Sequence, residues 1–184
     1  MNYNSVAELF DDIDRTRARL FQSVEGLSDA QQGFRPAPDR WSVAEVLEHL
    51  SIIERRVTKL VAALLDKAES AGQARAAAGR FAPVSIAEFV EQTRAQKLVA
   101  PENARPAGAL AADSLSALRD SRAALHSLRP RVEQTDCTSA RFPHPAWGPL
   151  NLYQWLLFLG AHEARHLAQI EALKETMNAV VGTK

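Results

Sequence analysis

The sequence predicts an all-α protein built as a four-helix bundle. Strand signals are almost absent, with no alternating apolar run and no Asn-Gly or Asp-Gly hairpin turn. Helix starts recur instead, because a Ser or Asn is repeatedly followed three positions later by Glu or Gln, as in a capping box. The four starts are Ser5/Glu8, Ser42/Glu45, Ser85/Glu88 and Asn151/Gln154.

The first two predicted helices cover residues 5–26 and 42–71. Trp41 and Val46 flank the start of the second helix as a hydrophobic staple, which fixes the direction in which the chain enters it. The prolines of residues 34–40 make a short and stiff connection between the two helices.

The remaining helices are separated by longer connections. A short helix over residues 85–98 lies within a crossover, 72–112, that is rich in Ala, Gly and Pro. The next long helix covers 113–129, where Pro130 is expected to end it. The last covers 151–178 after a second long connection. These long connections predict a bundle that is not a simple up-down-up-down arrangement.

Composition narrows the function classes. The 184 residues fit one domain, 1–184, and the 22 basic residues balance the 22 acidic ones. A formal net charge of zero argues against a general nucleic-acid or membrane-surface binder. The sequence has no apolar run of the roughly 20 residues that span a bilayer, and no signal-peptide pattern. Cys137 is the only cysteine, which excludes an internal disulfide and a thiolate metal cluster. We therefore expect a cytoplasmic protein.

Two histidines lie within the apolar stripe of the last predicted helix. His162 and His166 are four residues apart, so their rings share the face that carries Leu159 and Ile170. One of them could be a hydrogen-bonded core residue and the other solvated. Two buried imidazoles need polar partners, however, and one metal ion satisfies both. Imidazole nitrogen suits zinc, nickel, iron and copper, so the pair predicts a metal site.

His49 is the expected third ligand. It flanks the apolar stripe of the second helix, and bundles build metal sites from side chains on facing helices. Three protein ligands leave a coordination position open, as catalytic sites require. Glu45 lies four residues before His49 and Gln169 three after His166, so these two residues are expected to orient the rings.

The segment His162-Glu-Ala-Arg-His166 also matches H-E-x-x-H, the metalloprotease helix, in which Glu163 would be the general base. The residues after His166 lack the Gly and His that a metzincin needs. No sheet that could hold an extended peptide is predicted either. The protease interpretation is therefore poor, and Glu163 remains the candidate base for other chemistry.

The other histidines carry less information. His126 lies off the apolar stripe of its helix and is expected to be exposed. His144 lies in the connection before the last helix, where it could line the mouth of the site or be solvated. Trp147 and Trp155 could form part of a pocket there, or part of the core.

Two stretches of the sequence resemble the DinB-like superfamily, which includes the YfiT-type proteins. Residues 40–50, RWSVAEVLEHL, are similar to W-S-x-x-E-x-x-x-H-L at the start of the family's second helix. Residues 148–170 resemble its final helix, with H-x-x-x-H and a following glutamine. The resemblance implies an up-down-down-up bundle, a zinc or nickel site and a homodimer. It carries the family's three ligands over to His49, His162 and His166.

The resemblance also implies a range of activities. Some relatives look like metal-dependent transferases that use low-molecular-weight thiols such as bacillithiol or mycothiol, or isomerases that use them. We therefore expect one divalent ion, zinc or nickel, a small-molecule substrate, and a low-molecular-weight thiol as a further candidate cofactor. A thiol S-transferase is the leading hypothesis. A hydrolase of small amides or esters, with Glu163 as base, and a non-catalytic metal-binding stress or sensing protein are the alternatives.

Overall fold

The computed structural model describes residues 3–73, 84–94 and 99–181, and most of them are helical. Two short helices, one 3₁₀ turn and a two-stranded hairpin connect four long helices. The long helices are α1 (Val6–Val24), α3 (Val43–Ser70), α5 (Ala111–Gln134) and α6 (Leu152–Val181). The other elements are α2 (Asp29–Gln32), α4 (Ala87–Arg94), the 3₁₀ turn Glu102–Ala104, β1 (Arg141–His144) and β2 (Gly148–Asn151).

The first and last long helices run in the same direction. Arg17 of α1 contacts Glu163 of α6. Further along both helices, Ser23 contacts Glu171. Contacts that advance together along two helices can form only when the helices are parallel, so α1 and α6 form a parallel pair.

The two middle helices form the second parallel pair. Glu54 of α3 contacts Arg122 of α5, and Asp66 contacts Arg131 further along. The two pairs run in opposite directions, because Arg122 hydrogen-bonds the carbonyl oxygen of Ile13 whereas Leu118 is joined to Arg17, later in α1. The order along the chain is therefore up-down-down-up, as expected.

The predicted helix starts are confirmed at three of the four long helices. The Ser42 hydroxyl accepts from the backbone N–H of Glu45, whose carboxylate accepts from the Ser42 N–H in return. Asn151 and Gln154 form the same reciprocal pair at the start of α6. At the start of α1 the Ser5 hydroxyl accepts from the Glu8 N–H, while the Glu8 carboxylate accepts from the N–H of Asn4. The predicted short helix over 85–98 is observed as α4, and residues 95–98 lie outside the described part of the chain. The short α2, capped by Ser28, was not predicted.

Pro130 does not end α5, so the predicted stop at this residue is wrong. The helix continues to Gln134. Proline removes one backbone N–H, but contacts beyond it hold the next turn in place. Val132 is fully buried, and Arg131 forms ion pairs with Asp66 and Glu69 of α3.

The fold is mostly helical as predicted, but the long connection before the last helix contains an antiparallel hairpin, residues 141–151, that was not predicted. Its loop has three residues and is followed by Gly148, whose φ of 70° is readily adopted only by glycine. Pro143 and Pro149 face each other in the ladder, which hides the usual strand signal. The hairpin packs against the first turns of α6 through Phe142 and Trp155.

A layer of charged side chains divides the core of the bundle into two apolar clusters. Each long helix contributes one charged residue. Along each of these helices, residues of one apolar cluster precede the charged residue and residues of the other cluster follow it. All four members are nearly excluded from solvent. We call this set the charge layer; it consists of Arg17, Glu54, Arg122 and Glu163.

Candidate metal centre

Three histidines meet between α3 and α6. His49 comes from α3, and His162 and His166 come from successive turns of α6. One nitrogen of each ring lies within 4.8 Å of the corresponding nitrogens of the other two. The ring centroids are 4.6 to 5.1 Å apart. The structure therefore brings together all three histidines named from the sequence, and together they could hold a metal ion.

Hydrogen bonds fix the orientation of two of these rings. The Nδ1 atom of His49 lies 2.7 Å from the carbonyl oxygen of Ala104. The Nδ1 atom of His166 lies 2.9 Å from the side-chain oxygen of Gln169. Both oxygens can only accept, so each ring carries its proton on Nδ1 and has a lone pair on Nε2. The Nε2 atoms of His49 and His162 are 3.2 Å apart, which places two possible ligand atoms side by side.

The environment keeps the three imidazoles neutral. Burial lowers the pKa of His166 to about 4, and the nearby His49 contributes to the shift. Burial also lowers the pKa of His49, and it lowers that of His162 further, with His166 and His49 adding to the effect. A neutral imidazole is the form that binds a metal ion.

The two residues expected to orient the rings have different surroundings. Gln169 contacts His166 as described. The carboxylate of Glu45 instead accepts from the backbone N–H of Ser42 and from the guanidinium of Arg35, so its observed contacts are at the start of α3. The carbonyl of Ala104 orients His49, and no side-chain pattern in the sequence could have indicated it.

Glu163 belongs to the charge layer. One of its carboxylate oxygens accepts from Arg17 and the other lies 3.2 Å from Arg122. Glu54 contacts the same two guanidinium groups, at 2.8 Å from Arg122 Nε. Burial raises the pKa of the Glu163 carboxyl against the opposing effect of the two arginines. Its role as a general base stays a prediction, but both oxygens already have guanidinium partners.

A small cavity joins the histidine cluster to the charge layer. His162 forms part of its wall, and so do all four members of the charge layer. Leu50, Ile53 and Leu159 complete the lining. His162 thus lies on the wall of the same small cavity as the four buried charges.

Two aromatic rings contact the three histidines. The Trp41 ring stacks on that of His166 with centroids 6.3 Å apart, and its centroid lies 5.0 Å from that of His49. Phe158 contacts His162 at 5.2 Å. Trp41, the residue predicted as the staple of α3, therefore contacts two of the three histidines.

His144 lies beyond Phe158, with ring centroids 4.8 Å apart. It also contacts Trp147 and Trp155, so the hairpin brings it into an aromatic cluster rather than leaving it solvated. Burial lowers its pKa. His126 lies away from the cluster, where it is partly exposed and contacts Asp14 at 2.9 Å.

Comparisons with known proteins agree with this architecture. The model of the DinB superfamily matches residues 12–170. This chain belongs to the DinB superfamily. Among its relatives is the protein YuaE of Bacillus subtilis (strain 168), which is 30% identical over 172 residues, covering 88% of this chain and 94% of YuaE.

Two solved structures share the fold. YfiT from Bacillus subtilis, described as a probable metal-dependent hydrolase with an unusual four-helix bundle topology, matches with a TM-score of 0.61 and 19% identity. That match covers 94% of this chain and 87% of YfiT. TT2238, a four-helix bundle protein, matches with a TM-score of 0.59 and 20% identity over 91% of this chain and 99% of its own. At these identities the two structures support the four-helix-bundle fold of the chain. No helix in the described ranges is both long and apolar enough to cross a membrane.

Proposed function

We propose that this DinB-superfamily protein is a metal-dependent enzyme that holds one divalent ion, zinc or nickel, at His49, His162 and His166. The observation that carries the proposal is the convergence of three imidazole nitrogens within 4.8 Å of one another. Zinc and nickel both accept such nitrogens, and three protein ligands leave room for a small molecule.

The histidines fit a metal ion in a second respect. His49 and His166 each use Nδ1 for a hydrogen bond to an oxygen, and each keeps the Nε2 lone pair for a ligand bond. This is the usual arrangement around protein-bound metals, where the second ring nitrogen fixes tautomer and direction. A divalent ion bound here would supply an open position at which a thiol or a water molecule loses its proton more readily.

Thiol transfer is the reaction that the surrounding residues favour. In such a reaction a carbon–sulfur bond forms, the bond from that carbon to its leaving group breaks, and the thiol proton is released with the leaving group. No protein base is required if the thiol is already deprotonated. The observed contacts of Glu163 suit this chemistry, because its carboxylate is held by Arg17 and Arg122. The aromatic rings of Trp41 and Phe158 would offer apolar contacts to the electrophile.

Hydrolysis of small amides or esters is the second candidate. The description of YfiT as a probable metal-dependent hydrolase favours it. In this version a base must accept a proton from water, and Glu163, which directly follows the proposed ligand His162, is the candidate. The Glu163 carboxylate would first have to leave Arg17 and Arg122. Hydrolysis therefore requires a rearrangement that thiol transfer does not.

Three further expectations belong to the same proposal. The protein acts on a small molecule, it forms a homodimer, and it resides in the cytoplasm. The single cysteine is consistent with a reducing compartment. Sedimentation analysis would test the dimer directly, since it separates a mass of 20.2 kDa from twice that value.

The proposed activity can be tested with zinc-loaded and nickel-loaded protein. Each form would be incubated with a panel of low-molecular-weight thiols and an activated chloroarene, and chloride release would be followed. We expect metal-dependent turnover with at least one thiol, and its loss in the His49→Ala variant. Turnover of small esters or amides without thiol would favour the hydrolase instead. Activity that is equal in the metal-free protein would overturn both.

A further inference from the structure

Glu48 is a buried carboxylate that binds three backbone N–H groups of one loop. Its oxygens lie 2.9 Å from the nitrogen of Ala107, 3.0 Å from that of Gly108 and 2.9 Å from that of Ala109. The side chain is buried on α3, directly before His49. A carboxylate that accepts several amide hydrogen bonds holds the chain segment around it firmly.

The loop held in this way also carries the oxygen that orients His49. Ala104, whose carbonyl accepts from His49 Nδ1, ends the 3₁₀ turn three residues before Ala107. Arg56 contacts Asn103 at the start of the same segment, with 2.9 Å between its Nη1 and the Asn103 side-chain oxygen. The segment from Asn103 to Ala109 is therefore tied to α3 on both sides of the Ala104 carbonyl.

A glycine allows the loop to present its amides to Glu48. Gly108 has a φ of 101°, in the region that side chains rarely adopt. A Cβ added there would meet no atom within 4 Å, so a substitution would strain only the backbone. Gly108 is thus a position at which the loop can be disturbed without removing the charge of Glu48.

We propose that Glu48 is a positioning residue for the metal centre, acting through the loop that brings the Ala104 carbonyl to His49. The inference rests on the proposed metal site. Glu48 itself does not contact the metal-facing nitrogen of His49. It fixes the loop, the loop fixes the carbonyl, and the carbonyl holds the proton on Nδ1, which leaves Nε2 for the ion.

The first test is zinc affinity, measured by competition with a chromogenic chelator. Loss of a group that orients a ligand typically weakens metal binding about 10–100-fold. We expect a loss of this size in Glu48→Gln, because the amide replaces an acceptor oxygen by a donor that faces backbone N–H groups. Glu69→Gln is the matched control, since Glu69 lies near the other end of α3 and pairs with Arg131.

A second pair of variants covers the case in which Glu48→Gln fails to fold. Gly108→Ala should weaken zinc binding, while Gly72→Ala should not. Gly72 also has a positive φ, of 70°, and a Cβ added there would meet no atom within 4 Å, but this glycine follows the end of α3. A comparable loss in both glycine variants would overturn the proposal, because it would be an effect of backbone strain in general.

The decisive readout is the imidazole N–H of His49 in the metal-free protein, observed by nitrogen-edited NMR. We expect its Nδ1–H resonance to exchange rapidly and disappear in Glu48→Gln, while the Nδ1–H resonance of His166 persists on Gln169. Wild-type zinc affinity in both Glu48→Gln and Gly108→Ala would overturn the proposal. Weaker binding with an intact His49 resonance would also overturn it. If the wild-type protein binds no zinc or nickel, the proposed function fails, whereas the resonance still tests the link from Glu48 to His49.

Discussion

The guanidinium group of Arg17 hydrogen-bonds the carboxylate of Glu163, the residue that directly follows the candidate ligand His162. Arg122 contacts the other oxygen of the same carboxylate, and Glu54 contacts both arginines. Two positive and two negative side chains therefore compensate one another in the middle of the bundle. This arrangement ties the turn of α6 that carries His162 to the other three long helices.

The first prediction concerns Glu163→Gln. Removing one charge from a buried ion pair costs about 3–5 kcal/mol, because the opposite charges remain buried. We expect a loss of this order in the free energy of unfolding, measured with urea, while the protein still binds about one metal ion per chain. Glu133→Gln is the control, since its pair with Arg129 is exposed and such pairs contribute about 0–1 kcal/mol. Lost turnover with unchanged stability would instead support Glu163 as a general base.

The second prediction concerns Gln169. Its side-chain oxygen holds the proton of His166 on Nδ1. Gln169→Leu removes this acceptor and should weaken zinc binding about 10–100-fold. Gln169→Glu keeps an acceptor oxygen at the same place and should bind at least as tightly as wild type. Equal zinc affinity in all three proteins would show that this hydrogen bond does not support the site.

The third prediction concerns the stability of the metal-free protein as the pH changes. The pKa of His166 is lowered to about 4 in the folded state, whereas an unfolded histidine titrates near 6.5. Between these values the unfolded chain binds a proton that the folded chain does not. We therefore expect the titration of His166 to leave the free energy of unfolding unchanged above about pH 6.5. Below that pH it should lower the free energy of unfolding progressively as the pH approaches 4.

Urea unfolding in the presence of a chelator would measure this effect at a series of pH values. Carboxylates also titrate at the acidic end, so the comparison is with His166→Leu. The difference in stability between wild type and variant should shrink or reverse in favour of the variant as the pH falls below 6.5. A difference that stays constant from pH 7.5 to 4.5 would contradict the lowered pKa.

Much of the fold could be predicted from local sequence. The caps at Ser5, Ser42 and Asn151 are local hydrogen-bonding patterns, so four residues of sequence were enough to place each helix start. The end of α5 was missed because contacts beyond Pro130, which hold the final turn against α3, are made by residues distant in sequence. The hairpin was missed because its turn uses Gly148 after a three-residue loop.

The candidate site also contains some residues that the sequence could predict and others that it could not. His162 and His166 were found because two ligands on one helix leave a periodic signal. The carbonyl of Ala104 and the loop held by Glu48 left none, since a backbone oxygen has no sequence signature and the loop lies more than 50 residues along the chain from His49. Arg17 did leave a signal: it lies between the buried Ile13 and Leu20 on the apolar face of α1, where a charge requires a partner.

The most direct test of the account is the metal content of the purified protein and of single histidine variants, measured by inductively coupled plasma mass spectrometry. We predict about one zinc or nickel ion per chain in wild type, and loss of most of it in His49→Ala, His162→Ala and His166→Ala. His126→Ala, which changes a histidine away from the cluster, should keep the wild-type content. Full metal content in all three cluster variants would contradict the three-histidine site.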